Sequence, residues 1–402
     1  MVLAIFIFAT IPAVVDAQSY RTSYDDDGTI IVNGHRRFIL GTYGDSASDD
    51  EHDKVMREYA GAGFNLVYVR RKKAGVSAAA AANGLMTWTS VGAPRDDSKT
   101  RHYRSTVRRV SSLPGLAFVE TVDEPAWSLR KPKDRVSPDA VIRGYSIIKD
   151  LIPDRLVYLN HAPTNLVSTL RQYNDGTDIV AVDIYPVIPD GLILRGLIFE
   201  DGQQGDLNNP YLSQVGEYVR KMRRVAGPGR PVFSVQQAFA WAMMQPEDVR
   251  DENKILYPTY DELRFMAYQA IIESANGILY WGDHLTPKPS QHWNAVVRVV
   301  RELADMESVL TARSVAFTPE IQYHELGYSV DDGLTMIVKD VGDVRYLIAC
   351  NADRYACRAT LSGFGDWQTV SVMTESRTVA LENGAFTDYW RAFGVHVYRL
   401  ER

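Results

Sequence analysis

Between residue 29 and about residue 312, eight short apolar runs alternate with longer stretches of helical periodicity, and this alternation restricts the fold more than any other feature of the chain. The runs are Phe38–Tyr43, Phe64–Arg70, Leu85–Thr89, Leu116–Asp123, Arg155–Asn160, Ile179–Tyr185, Pro231–Gln236 and Gly277–Trp281. Strands joined by helices run parallel, because the helix carries the chain back across the sheet. Eight such strands can close on themselves as an α/β fold, the (β/α)8 TIM barrel. Several helix starts are written into the sequence. Ser137-Pro138 and Asn209-Pro210 each place a capping residue before a proline. Thr259 and Glu262 have the spacing of a capping box. The third unit is the weakest, since the Ala78–Ala82 run and Asn83-Gly84 leave little room for a full helix. The connection Val187 to Asn208 is long, and long loops after barrel strands tend to build the binding face.

Helical periodicity stops after Leu310. Residues 313–402 read as short alternating strands with turns at Asp331-Asp-Gly333, Val341-Gly-Asp343, Gly363-Phe-Gly365 and Glu382-Asn-Gly384, a small antiparallel β domain. Cys350 and Cys357 flank Asn351–Tyr355 and face each other if that stretch is a hairpin turn; a disulfide and two free buried thiols both fit. The 402 residues, 46% of them hydrophobic, support one large barrel, 18–312, and this smaller companion. Residues 1–17 read as a signal peptide, an apolar run ending in Val15-Asp-Ala17 but lacking basic residues at its start. The run is short for a membrane span, so a secreted or periplasmic protein without a membrane anchor is expected.

A net charge of −6 argues against nucleic acid or an anionic membrane as partner. The basic clusters Arg70–Lys73 and Arg220–Arg224 read as local features. The eight histidines are scattered without metal-ligand spacing, and no metal or other cofactor is expected.

In a barrel of this kind function sits at the C-terminal ends of the strands. Those ends supply, in order, Tyr43, Arg70, Trp88, then Asp123, Glu124 and Trp127, then Asn160 and His161. The last three supply Asp183 and Tyr185, then Gln236, Gln237 and Trp241, then Trp281, Asp283 and His284. Singly, each aromatic is explained by packing, and Asp123 or Glu124 by a helix cap. Together they form a rim of aromatic faces, carboxylates and amides that suits a carbohydrate substrate, stacking on pyranose rings and binding their hydroxyls.

Asn33-Gly-His-Arg-Arg-Phe-Ile-Leu-Gly41 resembles the opening barrel segment of clan A glycoside hydrolases, and Phe118–Pro125 resembles their fourth strand, where an acid/base glutamate precedes proline. Asp183–Pro186 and Gly277–Trp281 are similar to recurrent segments of the same group. Ala385–Tyr389 and Val395–Arg399 resemble the last strands of the β-sandwich appended to many such enzymes. The resemblance implies a secreted glycosidase-like barrel followed by a β-sandwich, with Glu124 as general acid. Two departures stand out. Asp123 replaces the usual asparagine, and Gln236 and Gln237 occupy the stretch where a nucleophilic glutamate is usual.

An amide cannot form the glycosyl-enzyme ester, so a second catalytic group has to be found elsewhere. Asp183 or Asp283 can act as base on water and give inversion, which takes carboxyls about 6.5–9.5 Å apart, against about 5–5.5 Å for retention. Alternatively Asp123 orients a substrate 2-acetamido group that attacks in place of an enzyme nucleophile. The remaining alternative is a catalytically inactive, carbohydrate-binding barrel. Glu120 shares the strand face of Glu124 but lies about 13 Å deeper at the usual rise per residue, and reads as a paired core carboxylate.

Overall fold

The computed structural model describes residues 20–44, 51–127, 132–192, 209–324 and 333–402. The signal-peptide reading and most of the long 187–208 connection therefore lie outside the described residues. All eight apolar runs form strands: β1 (Ile39–Thr42), β2 (Leu66–Tyr68), β3 (Met86–Ser90), β4 (Leu116–Glu120), β5 (Leu156–His161), β6 (Ile179–Ile184), β7 (Val232–Gln237) and β8 (Gly277–Trp281). They pair in parallel in chain order, and β8 pairs with β1 to close the barrel. A parallel strand is covered on both faces, which is why these runs are apolar throughout rather than alternating.

Along each strand alternate residues face the barrel interior. Ile39, Leu66, Met86, Phe118, Leu156, Ile179, Phe233 and Leu279 fill its lower half. An antiparallel hairpin, Ile30–Val32 with His35–Arg37, extended by Thr22–Tyr24, plugs the lower end by adding Tyr20, Ile30 and Val32 to the same core. Its turn is Asn33-Gly34, both at positive φ (49° and 86°), a strong local hairpin signal that the reading of eight strands passes over.

The helices α1 (His52–Ala62), α2 (Ala74–Ala82), α3 (Thr100–Val110), α4 (Pro138–Leu151), α5 (Val167–Arg171), α6 (Gln214–Ala226), α7 (Tyr260–Ile272) and α8 (Gln291–Asp305) follow the eight strands in turn. Ser137 caps α4 through Oγ to the Ala140 N–H, and Thr259 with Glu262 makes the full capping box of α7. Two expectations change. The third unit's alanine run makes a nine-residue helix, α2, because it begins already at Ala74. Asn209-Pro210 does not start α6, which begins at Gln214; the Asn209 carboxamide instead accepts the Tyr211 N–H at 2.9 Å, an Asx turn leading into the helix.

Eight further strands follow: β9 (Glu320–Tyr323), β10 (Leu334–Val341), β11 (Val344–Asn351), β12 (Cys357–Ser362), β13 (Thr369–Val372), β14 (Arg377–Val379), β15 (Ala385–Trp390) and β16 (Val395–Glu401). They make two antiparallel sheets, β9-β12-β15 and β10-β11-β16-β13-β14. The sheets face each other over Leu347, Leu361, Phe386, Trp390 and Tyr398, so the C-terminal region is a β-sandwich. Cys350 and Cys357 lie in opposite sheets, both buried and not joined by a disulfide, because the chain between them crosses the sandwich instead of turning back. On its other face the five-stranded sheet packs Ile348, Cys350, Val395 and Val397 into the core formed by the barrel helices. Among the described residues no helix is long and apolar enough to cross a membrane.

Candidate active site

Strand alternation decides which of the predicted residues share one space. On β5 the inward residues are Tyr158 and Asn160; on β6 they are Asp183 and, just beyond its end, Tyr185. Glu120, Trp88, Tyr43 and Trp281 face inward from β4, β3, β1 and β8 or their ends. The upper barrel thus collects Glu120, Asp123, Glu124 and Asp183 among three tyrosines.

Asn160 ties this group together. Its Nδ2 donates to Asp123 Oδ1 at 3.0 Å and to Asp183 Oδ1 at 3.1 Å. Two oxygens held by one nitrogen at these distances lie at most about 6 Å apart, so both carboxyls share one side of the barrel mouth. Asp183 also shares a hydrogen bond with the Glu124 carboxyl. Two carboxyls in that relation must hold a proton between them. Loss of water in the cleft and, second, the Asp123 charge push Asp183 up to about 7, against the opposing pull of Asn160. The contact leaves no room for a water between Asp183 and Glu124, the arrangement inversion by that pair requires.

Glu124 has φ +44°, a left-handed conformation that costs a residue with a Cβ on the order of 1–3 kcal/mol. The turn is held on both sides: the Glu124 N–H donates to Asn160 O at 3.0 Å and the Trp127 N–H to Glu124 O at 3.1 Å. Such backbone strain clusters at functional sites, where the surroundings over-determine it.

Glu120 is buried, and among the described residues it has no ion pair. Burial, then the Asp123 charge, raise it to about 8. Glu120 lies within the field of Asp123, three residues on, so this core carboxyl belongs to the same electrostatic cluster. Tyr43 and Tyr158 join their hydroxyls at 3.0 Å beside it, both held far above the usual phenol range by burial. Tyr158 was not among the predicted residues, although it is two positions from Asn160 on the same strand face.

Beside this group stands an aromatic wall. Tyr185 stacks on Trp281 with ring centroids 5.6 Å apart, and Trp241 meets Tyr185 edge-on at 5.9 Å while its Nε1 donates to Tyr185 O at 3.1 Å. Phe239 supports both Tyr185 and Trp281, and His284 sits edge-on to Trp281. Arg70 is exposed and Trp127 half-buried at the ends of β2 and β4.

Five predicted residues do not serve as expected. His161 points outward, fully buried against Tyr173 of the helix layer, and burial drives it down to about 3. Gln236 also points outward, its amide donating to Met266 O in α7 at 2.9 Å. Gln237 faces inward but is consumed: it accepts the Val187 N–H at 3.0 Å and donates to Val187 O at 2.9 Å and Phe239 O at 3.0 Å, stitching β7 to the connection after β6. Asp283 leaves the barrel because Gly282 turns the chain at φ +88°, and it is buried with Lys288 and Tyr59, each 2.7 Å away. A carboxylate so held is no base for a sugar site. Trp88 is 1% exposed and forms the floor beneath Tyr43 and Tyr68, with no face left for a ring to stack on. The errors at His161 and Gln236 share one cause, since reading strand ends in sequence takes neighbouring residues together although they point in opposite directions.

No protein-family profile matches this chain, and no curated protein matches it by sequence. Solved structures do match. A β-L-arabinopyranosidase of glycoside hydrolase family 27 from Geobacillus stearothermophilus superposes with a TM-score of 0.61 at 10% identity, over 90% of this chain and 96% of that one. An α-amylase from Geobacillus thermoleovorans gives 0.57 at 8% identity, over 92% and 100%. The α-galactosidase I of Mortierella vinacea gives 0.55 at 10%, over 90% and 96%. The likeness is one of fold. It spans barrel and sandwich together, as the resemblance in the strand segments implies.

Proposed function

We propose that the protein is a glycoside hydrolase acting on a polysaccharide or glycoconjugate met outside the cytoplasm. Glu124 donates the proton that it shares with Asp183, and Asp123 supplies the negative charge facing the developing oxocarbenium ion. The observation that carries this reading is the Asn160 amide binding Asp123 and Asp183 at once, which holds one ionised carboxylate opposite a proton-bearing pair. The solved structures of like fold are named for sugar-cleaving activities, which supports the same class. The aromatic wall of Tyr185, Trp241 and Trp281 offers the stacking surface for the sugar ring. Asp123 acts either as the attacking carboxylate or by orienting a substrate 2-acetamido group; both give overall retention. Inversion through Asp183 or Asp283 is not favoured, because the first is hydrogen-bonded to Glu124 and the second is paired with Lys288.

The second reading, a sugar-binding barrel without turnover, draws on the amide that ends β7, where Gln237 is wholly engaged in backbone contacts. Proton NMR of freshly released product distinguishes the mechanisms. Retention of anomeric configuration is expected, and inversion would remove Asp123 from the role assigned to it. Binding of oligosaccharide with no product from any glycan establishes the second reading instead.

A further inference from the structure

From the charge distribution around the barrel mouth we infer that the sugar chain this site accepts is anionic, carrying carboxylate or sulfate groups on the residues that cross the β2–β4 side. The inference rests on the glycan-binding reading of the site. The mouth is two-sided. Tyr185, Trp241 and Trp281 rise from the loops of the contiguous strands β6, β7 and β8. Across the barrel the loops after β2, β3 and β4 present the cations Arg70-Arg-Lys-Lys73, Arg95 and Lys133, outnumbering the exposed Asp96, Asp97 and Asp134 interspersed with them. Arg95 donates to the carbonyls of Lys133, Asp134 and Arg135 at 3.2, 2.8 and 3.1 Å, which joins the second and third of these loops into one surface.

Arg71 and Lys72 are exposed, and among the described residues neither makes an ion pair. Their place is locally unfavourable. The helix α2 begins directly after them, with Lys73 at its N-cap and no acidic residue in its first turn, so the cations crowd the positive end of a helix dipole. In the whole chain acidic residues outnumber basic ones by 50 to 44, so a basic sector here is a departure from the protein's own average. A polyanion laid from the aromatic wall toward β2 would relieve that repulsion, and its stacked end would reach the carboxyl cluster. The carboxyls themselves repel an anionic ring, which puts the anionic groups on neighbouring sugars rather than on the ring that is cleaved.

The test is affinity electrophoresis of the full chain in gels containing polygalacturonate, a sulfated galactan, or neutral galactan and xylan, at low and at physiological salt. Wild type and a double variant, Arg71→Glu with Lys72→Glu, are compared, both checked for folding by circular dichroism. Retardation by one of the anionic glycans is expected, weakening with salt and falling about tenfold in the double variant. Unchanged retardation in the double variant overturns the inference, and so does stronger retardation by the neutral glycans. Equal retention of double-stranded DNA or of vesicles of anionic phospholipid also overturns it, because the sector would then be an unspecific polyanion surface. Retardation needs no turnover, so this result stands apart from whether the enzyme reading holds.

Discussion

At the scale of single residues, the site is a problem in where protons reside. Glu120 has its carboxyl raised from 4.5 in a free chain to about 8 in the fold. The native state therefore binds this proton more tightly than the unfolded state does, and stability is lost as pH rises from about 4.5 through 8. Urea denaturation of wild type is expected to show that loss, on the order of several kcal/mol, and Glu120→Gln to reduce it; an unchanged slope in the variant would assign the effect to other groups. Glu124 gives a complementary case. Its φ of +44° suits glycine, so Glu124→Gly should raise the unfolding free energy by about 1 kcal/mol while abolishing glycan cleavage. A destabilised variant would mean that the carboxyl contacts outweigh the backbone strain. Tyr158 shows how much more the sequence held than was read from it. Stepping back two residues from Asn160 reaches it, whereas the hydrogen bond from Asn160 to both aspartates could not be read, because it joins neighbouring strands whose residues are 37 and 23 positions apart in sequence.

At the scale of elements, apolar runs and capping residues carried most of the fold. Eight strands, the capping box of α7 and the sandwich turns at Val341–Asp343, Gly363–Gly365 and Glu382–Gly384 are legible because they depend on local patterns, while the turn expected at Asp331–Gly333 lies mostly outside the described residues. What was not legible depends on facing: whether a strand-end residue points into the barrel or under a helix. Gln236 and Gln237 are adjacent in sequence, yet one amide holds α7 and the other holds the connection after β6. Restoring a carboxylate at the inward position does not restore a nucleophile, because Val187 O and Phe239 O both require a donor there. Gln237→Glu is expected to cost about 1–3 kcal/mol of stability at neutral pH by denaturant titration, with no covalent glycosyl adduct in mass spectra. A stable variant that accumulates an adduct would show that strand seven tolerates the usual arrangement after all.

At the scale of the whole molecule, barrel and sandwich share a core rather than a linker. Arg264 of α7 pairs with Glu302 of α8 at 2.8 Å and donates to Val395 O of β16 at 2.7 Å, while Tyr260 and Tyr268 give their hydroxyls to the same glutamate. Both charged groups are buried, so removing one strands the other. Arg264→Ala should lower stability by about 3–5 kcal/mol and loosen the sandwich from the barrel, read as amide exchange in β16 and α7. Loss of stability without altered exchange at that junction would make the network a local feature of the two helices. The sandwich is thus a structural wall of the barrel, and the carboxyl cluster belongs to the barrel mouth.

The most direct measurement is the pH dependence of kcat/KM on a cleaved glycan, for wild type and for Glu124→Gln. Wild type is expected to turn over and to lose activity as pH rises through about 7, where the Asp183–Glu124 pair gives up its proton, and Glu124→Gln to fall by about 10²–10⁴. Cleavage by Glu124→Gln at the wild-type rate, or no cleavage by wild type of any glycan it binds, would contradict the assignment of this carboxyl cluster as a glycosidase centre.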